Sequence, residues 1–271
     1  MLRVGERDLP PHDSPTVKPP DTRSEGMAHV VVHREELALE SPMLVEGLPG
    51  VGLVGKIAAD HLVDTFEMTE YASIHCDGLP EIAVYQEGDQ QVKPPVRLYA
   101  DEERNLLVLQ SDAPVSASAA DEFATCLTGW LADNDVTPIY LSGMPTKRDG
   151  EPSLYGVSTG DGGGLLDDAA IDAPTMDGAV TGPTGALLYA AGKQGINSVG
   201  LVVGADKQFP DPGAARVVLR DGVAALADID IDTDALVEHA EEISEAKADL
   251  AAQMQQADEE STSAKPLGMF Q

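Results

Sequence analysis

Residues 43–66, MLVEGLPGVGLVGKIAADHLVDTF, pass from a buried-strand pattern through a glycine-rich turn into a helical pattern, with Leu53, Ile57, Leu62 and Phe66 available for a core face. A strand that feeds directly into a helix belongs to a sheet with helices laid on it, which argues against all-α and all-β architectures. The alternation continues down the chain. EYASIHCDG and NLLVLQSD read as strands, SASAADEFATCLTGWLADND as a helix opened by a Ser cap, and VTPIYLSG as a strand. PTGALLYAAGKQG carries Pro183 near a helix start and Gly195 at its end; INSVGLVVGA is a fully apolar strand; DPGAARVVLRDGVAALA opens a helix on a proline. IAVYQEGDQQVKPPVRLYAD is expected to form a hairpin that turns at Glu87 to Gln90. The expected fold is α/β: a three-layer α/β/α domain with a mixed, mostly parallel sheet, followed by a long C-terminal helix and a flexible tail.

Four regions follow. Residues 1–26, rich in Pro, Asp and Ser without periodicity, read as a disordered leader, with Met27 the expected initiator. Residues 27–230 hold the α/β domain. Within it, Met144 to Asp177 is too long and too rich in Gly, Asp and Pro for a plain connector, and reads as a lid, a subunit contact or a mobile segment. Residues 231–257 form a polar helix whose Leu236, Ala240, Ile243, Lys247, Leu250 and Met254 follow coiled-coil seam spacing, interrupted by the lysine. Residues 258–271 are a polar tail with an apolar tip.

Charge narrows the partners. Acidic residues number 47 against 17 basic ones, a formal net charge of −30. Such a surface repels nucleic acid and anionic lipid, both of which bind through clustered Lys and Arg. The acid is spread along a chain poor in aromatics, which suits a protein kept soluble in concentrated salt, where screening shortens the repulsion to a few Å. Cys76 and Cys126 sit in apolar segments without a C-x-x-C spacing and are expected to be free buried thiols of a cytoplasmic protein. No stretch approaches an uncharged membrane span, so no membrane partner is expected.

Gly50, Gly52 and Gly55 have the G-x-G-x-x-G spacing of a dinucleotide turn, and Asp77 lies about where that fold needs an acid for the ribose. Against this, the following segment reads as an antiparallel hairpin and Pro49 stiffens the turn. A nucleotide P-loop reading matches Gly50 to Lys56 but meets Ile57 where a magnesium-binding hydroxyl is required. The turn is therefore read as a structural strand-to-helix corner, with anion binding as the alternative. His61 and His75 could pair with Cys76 or Asp60 as base and nucleophile, but adjacent His75 and Cys76 point to opposite faces of a strand, and ordinary core or surface roles are expected. The pair Asp167 and Asp168 suggests metal or acid/base work, yet a chain with 47 acids produces such pairs by chance. Lys147 and Arg148 are a rare basic pair beyond a strand end, read as a solvated loop or a ligand contact. No cofactor or metal is expected. At the C-terminus, Met269, Phe270 and Gln271 combine an apolar residue, a ring and a free carboxylate, a set that can enter a pocket whose lysine receives the carboxylate.

Four stretches in order, EGLPGVGLVGKIAADHL, YLSGMPT, GAVTGPTGALLYAAGKQGI and FPDPGAARVVL, resemble the archaeal members of the proteasome assembly chaperone 2 family over about Leu39 to Ala257. The composition suits a haloarchaeal member. The resemblance implies a non-enzymatic α/β protein that self-assembles and helps build or bind the 20S proteasome. It further implies that Met269, Phe270 and Gln271 match a C-terminal layout of hydrophobic residue, tyrosine and any residue that docks between 20S α-subunits, with Phe270 in place of the tyrosine. The alternative is an enzyme or sensor that takes a phosphate-bearing or nucleotide ligand at the Gly50 turn.

Overall fold

The computed structural model describes residues 29–77, 79–147, 150–241 and 243. Eight strands form one sheet: β1 (His29–Val32), β2 (Met43–Gly47), β3 (Thr69–His75), β4 (Val96–Asp101), β5 (Leu106–Ser111), β6 (Thr137–Pro145), β7 (Leu154–Thr159) and β8 (Ser198–Ala205), in the order β1-β3-β4-β5-β2-β6-β8-β7. The centre, β5-β2-β6-β8, is parallel; the outer pairings β1-β3, β3-β4, β4-β5 and β8-β7 are antiparallel. The sheet is thus mixed as expected, with parallel pairing confined to three of its seven ladders.

Both faces of the central strands are covered, which is why they read as continuous apolar runs. Leu44, Leu98, Leu107, Leu109 and Tyr140 point to one layer, formed by α2 (Ala120–Asp133) and α4 (Gly182–Gln194). Val45, Val108, Ile139, Leu141 and Leu201 point to the other, formed by α1 (Val54–Thr65), the short α3 (Gly162–Asp168) and a continuous run of α5 (Pro212–Val217), a π-turn (Val218–Val223) and α6 (Ala224–Ala227). Local signals set the helix ends. Gly195 closes α4 at φ 71°, and Asp211 caps α5 by accepting from the Ala214 amide at 3.0 Å, next to Pro212.

Three local expectations change. The 82–101 hairpin reduces to one bridge between Val84 and Lys93, because Pro94 and Pro95 interrupt the ladder and β4 pairs instead with β3 and β5. Cys76 and Cys126 are not free: they form a disulfide that ties the end of β3 to α2, with Cα atoms 6.3 Å apart. Packing of these two elements on the same face brings together residues 50 positions apart. The Met144 to Asp177 stretch contains the edge strand β7 and helix α3. A further helix over residues 234–241 begins by burying Leu236 in the core beside α1 and α6; Lys247, Leu250 and Met254 of the expected seam lie outside the described residues.

Candidate functional site

The glycine-rich corner follows β2. Gly50 has ordinary extended torsions and open space where a Cβ would stand. Gly52 does not: its φ is +64°, and a Cβ there would lie 3.0 Å from that of Ala205 and 3.2 Å from the Asp206 carbonyl. Its own carbonyl accepts the Asp211 amide at 2.8 Å, so the turn is pinned to the corner between β8 and α5. At Gly55 a Cβ would come 3.0 Å from the Leu48 carbonyl. Lys56, the lysine of the P-loop-like spacing, bonds Asp60 at 2.7 Å and reaches Asp112 at 3.3 Å. Asp77 follows β3, three strands away from β2 across β4 and β5, or about 14 Å at the usual strand spacing. The two dinucleotide-like features therefore do not share one site.

A residue passed over in the sequence stands immediately before the corner. Glu46 is fully buried on β2. Its Oε1 accepts from the Leu48 amide at 3.0 Å and the Thr184 hydroxyl at 3.1 Å, and its Oε2 from the Leu141 amide at 3.1 Å. One carboxyl group thus joins the EGLPG corner, the YLSG strand and the GPTG helix start. Burial pushes its pKa up to about 7, against the pull of these hydrogen bonds. The signal was present: an acid inside an otherwise apolar strand pattern has to be hydrogen-bonded somewhere.

Above Glu46, at the carboxyl end of the parallel strands, opens a cleft of about 970 Å³. Its floor and walls come from the corner (Pro49, Gly50), β6 (Met144), β7 (Val157), β8 (Val202) and α4 (Leu188). Residues 174–181 close one side. Crevices at the carboxyl ends of strands are where α/β sheets hold ligands. The walls are mainly apolar and contain two charged residues, Asp177 and Lys193.

The remaining candidates are dispersed. His61 bonds the Asp232 carbonyl at 2.5 Å, and His75 lies 3.0 Å from the Ser73 hydroxyl, which also contacts His33 at 2.9 Å. Asp167 and Asp168 are exposed on α3, and Lys147 is exposed after β6. Arg148, Met269, Phe270 and Gln271 lie outside the described residues. Among the described residues, no group of His, Cys, Asp and Glu could hold a metal ion, and no helix is long and apolar enough to cross a membrane.

The model of the PAC2 family matches residues 44–251. Among solved structures, the chain is similar to Pyrococcus furiosus PbaA, described as an archaeal homolog of proteasome-assembly chaperone, at 25% identity and a TM-score of 0.70, covering 85% of this chain and 99% of that one. It shares its fold with Pyrococcus furiosus PbaB, described as an archaeal proteasome activator, at 22% identity and a TM-score of 0.69, covering 84% of this chain and 100% of that one. An uncharacterized protein of Methanocaldococcus jannaschii is 24% identical over 224 residues, 82% of this chain and 90% of that one. The EGLPG corner, the Glu46 junction and the β8–α5 corner all lie within the matched range, and the chain belongs to the PAC2 family.

Proposed function

We propose that this chain is a non-enzymatic proteasome assembly chaperone or proteasome-interacting factor of the cytoplasm, adapted to high salt, which self-associates and docks its C-terminus on the 20S α-ring. The observation that carries the reading is the likeness to PbaA along 99% of that chain. Support comes from the corner itself, where Gly52 and Gly55 serve close packing and Lys56 is engaged by two aspartates. Ile82, Tyr85 and Val92, exposed on the excursion between β3 and β4, offer apolar surface for self-association. An assembly presenting several copies of Met269, Phe270 and Gln271 gains affinity from multivalency. Phe270 keeps the ring of the tyrosine in the family layout and lacks its hydroxyl, which removes one hydrogen bond worth about 1 kcal/mol.

Capture of purified 20S particles by the immobilised full chain, in parallel with a form lacking Met269 to Gln271, tests this. Retention by the full chain and loss by the shortened one is expected. Equal retention removes the tail from the reading, and retention by neither removes the proteasome. The competing ligand reading predicts instead saturable heat of binding with nucleotides in high salt that disappears in Gly52→Val.

A further inference from the structure

The cleft above Glu46 has an unusual rim. Tyr189 and Met176 stand 70% and 63% exposed at its mouth, and Leu188, Val157 and Val202 line its interior. Large apolar side chains gathered around a concavity, on a chain whose net charge is −30, mark a surface that something covers. Lys193, in the last turn of α4, lines the same cleft with its Nζ 5.5 Å from the centre of the Tyr189 ring. Among the described residues no carboxylate lies within salt-bridge distance of it, although acids outnumber bases 47 to 17. The site therefore offers apolar walls, an aromatic rim and a cation that, among the described residues, is not ion-paired, with Asp177 on the same cleft but beyond salt-bridge distance of it.

The chain itself contains a segment of that chemistry. Residues 261–271, STSAKPLGMFQ, include no Asp or Glu, so the only negative charge there is the terminal carboxylate. Leu267, Met269 and Phe270 supply the apolar part. A ligand of three or four residues suits a cleft of about 970 Å³. Reach is sufficient: 28 residues follow residue 243. Were half of them helical, they could still span up to about 70 Å, enough to round a domain of this size.

We infer that the cleft between α4 and the β6–β8–β7 corner is a receptor for the C-terminal tip of this chain, with Phe270 among Leu188, Tyr189 and Met176 and the terminal carboxylate at Lys193. A seated tip is unavailable to any other partner, so the cleft holds the tail in a self-capped state. This does not rest on the proteasome reading, since it requires only the chain.

The test uses full-length protein, without proteasome, carrying photoreactive benzoylphenylalanine in place of Phe270. After irradiation, crosslinks located by mass spectrometry are expected to fall on residues 144–157 and 174–193, within one copy or between two. A free peptide of residues 264–271 in excess should lower their yield at least fivefold. The same peptide with an amidated C-terminus should compete at least fivefold less well, and Lys193→Gln should abolish that difference. Crosslinks absent or spread over other surfaces overturn the assignment, and equal competition by acid and amide overturns the role of Lys193. Failure of Lys193→Gln, whose tip is released from the cleft, to capture 20S particles would sink the proteasome reading, while intact wild-type crosslinks leave this one standing.

Discussion

On the β4–β5 wing of the sheet, Arg97 is fully enclosed, and its guanidinium donates to the Tyr99 hydroxyl at 3.2 Å, the Pro94 carbonyl at 2.5 Å, Gln110 at 2.9 Å and Asp112 at 2.5 Å. Gln110 passes the network on to Asp60 at 2.7 Å, where Lys56 of α1 also binds. On the β6–β8–β7 wing, three glycines that line the cleft serve close packing: a Cβ at Gly143 would run into the Val51 carbonyl, one at Gly185 into the Val180 carbonyl, and one at Gly192 would lie 3.3 Å from the Thr159 methyl. One wing closes on itself by pairing its polar groups; the other keeps its backbone close and leaves a cavity. Space is maintained beside the Glu46 junction, and the charges that resemble a phosphate site belong to the closed wing.

The contrast breaks most visibly at Arg97. Arg97→Ala removes a large enclosed side chain and takes the donor from Gln110 and the Pro94 carbonyl, while Asp112, a quarter exposed, keeps Lys56. A loss of about 3–5 kcal/mol is expected in denaturant unfolding. A loss below about 1 kcal/mol would mean that the network holds nothing together.

Glu46 comes next. It titrates near 7 in the folded chain against an ordinary value of 4.5, so folding takes up a proton between those two pH values. Its contribution favours the folded state at low pH and is lost as pH climbs from about 4.5 past 7, by about 3 kcal/mol in all. Many other carboxylates titrate in the same range, so the informative quantity is the difference between wild type and Glu46→Gln across a pH series in concentrated salt. That difference should change by about 3 kcal/mol between pH 4.5 and 8, and a flat difference would contradict the buried titration.

Within the corner, Gly52→Ala forces a side chain into positive φ and against Ala205 and should cost about 1–3 kcal/mol. Gly50→Ala, with extended torsions and open space, should stay within about 0.5 kcal/mol. Equal costs would show that the glycine spacing acts as a unit, as a phosphate cradle would. The smallest effect belongs to Tyr140→Phe. Among the described residues the Tyr140 hydroxyl is buried without a hydrogen-bond partner, and burial beside Glu46 pushes its ionisation further up. Removing it should change stability by less than about 0.5 kcal/mol or improve it, measured by thermal unfolding.

What could be read from the sequence divides along physical lines. Signals that act within a few residues were legible: the strand-to-helix passage at 43–66, Gly195 at the end of α4, and the proline opening α5. Pairings between distant segments were not. The antiparallel β3-β4-β5 ladder takes the partner that a local hairpin would have supplied, and the Cys76–Cys126 bridge depends on α2 packing over the end of β3. The cleft was hidden for the same reason. Its parts appeared as separate motifs, and they meet at Glu46, which accepts from Leu48, Leu141 and Thr184. Gly50, Gly52 and Gly55 drew attention because their spacing is local, whereas Ala205 and Asp211, against which Gly52 packs, are some 150 residues away.

The central claim is that partner binding belongs to the C-terminal tip and not to the glycine corner. Equilibrium binding of purified 20S particles to three forms tests it most directly: the full chain, a form lacking Met269 to Gln271, and Gly50→Ala. The full chain and Gly50→Ala should bind with the same affinity, and the shortened form at least tenfold more weakly, a difference of about 1.4 kcal/mol or more per engaged tail. Unchanged affinity on removing the three residues, or its loss in Gly50→Ala, would contradict the account.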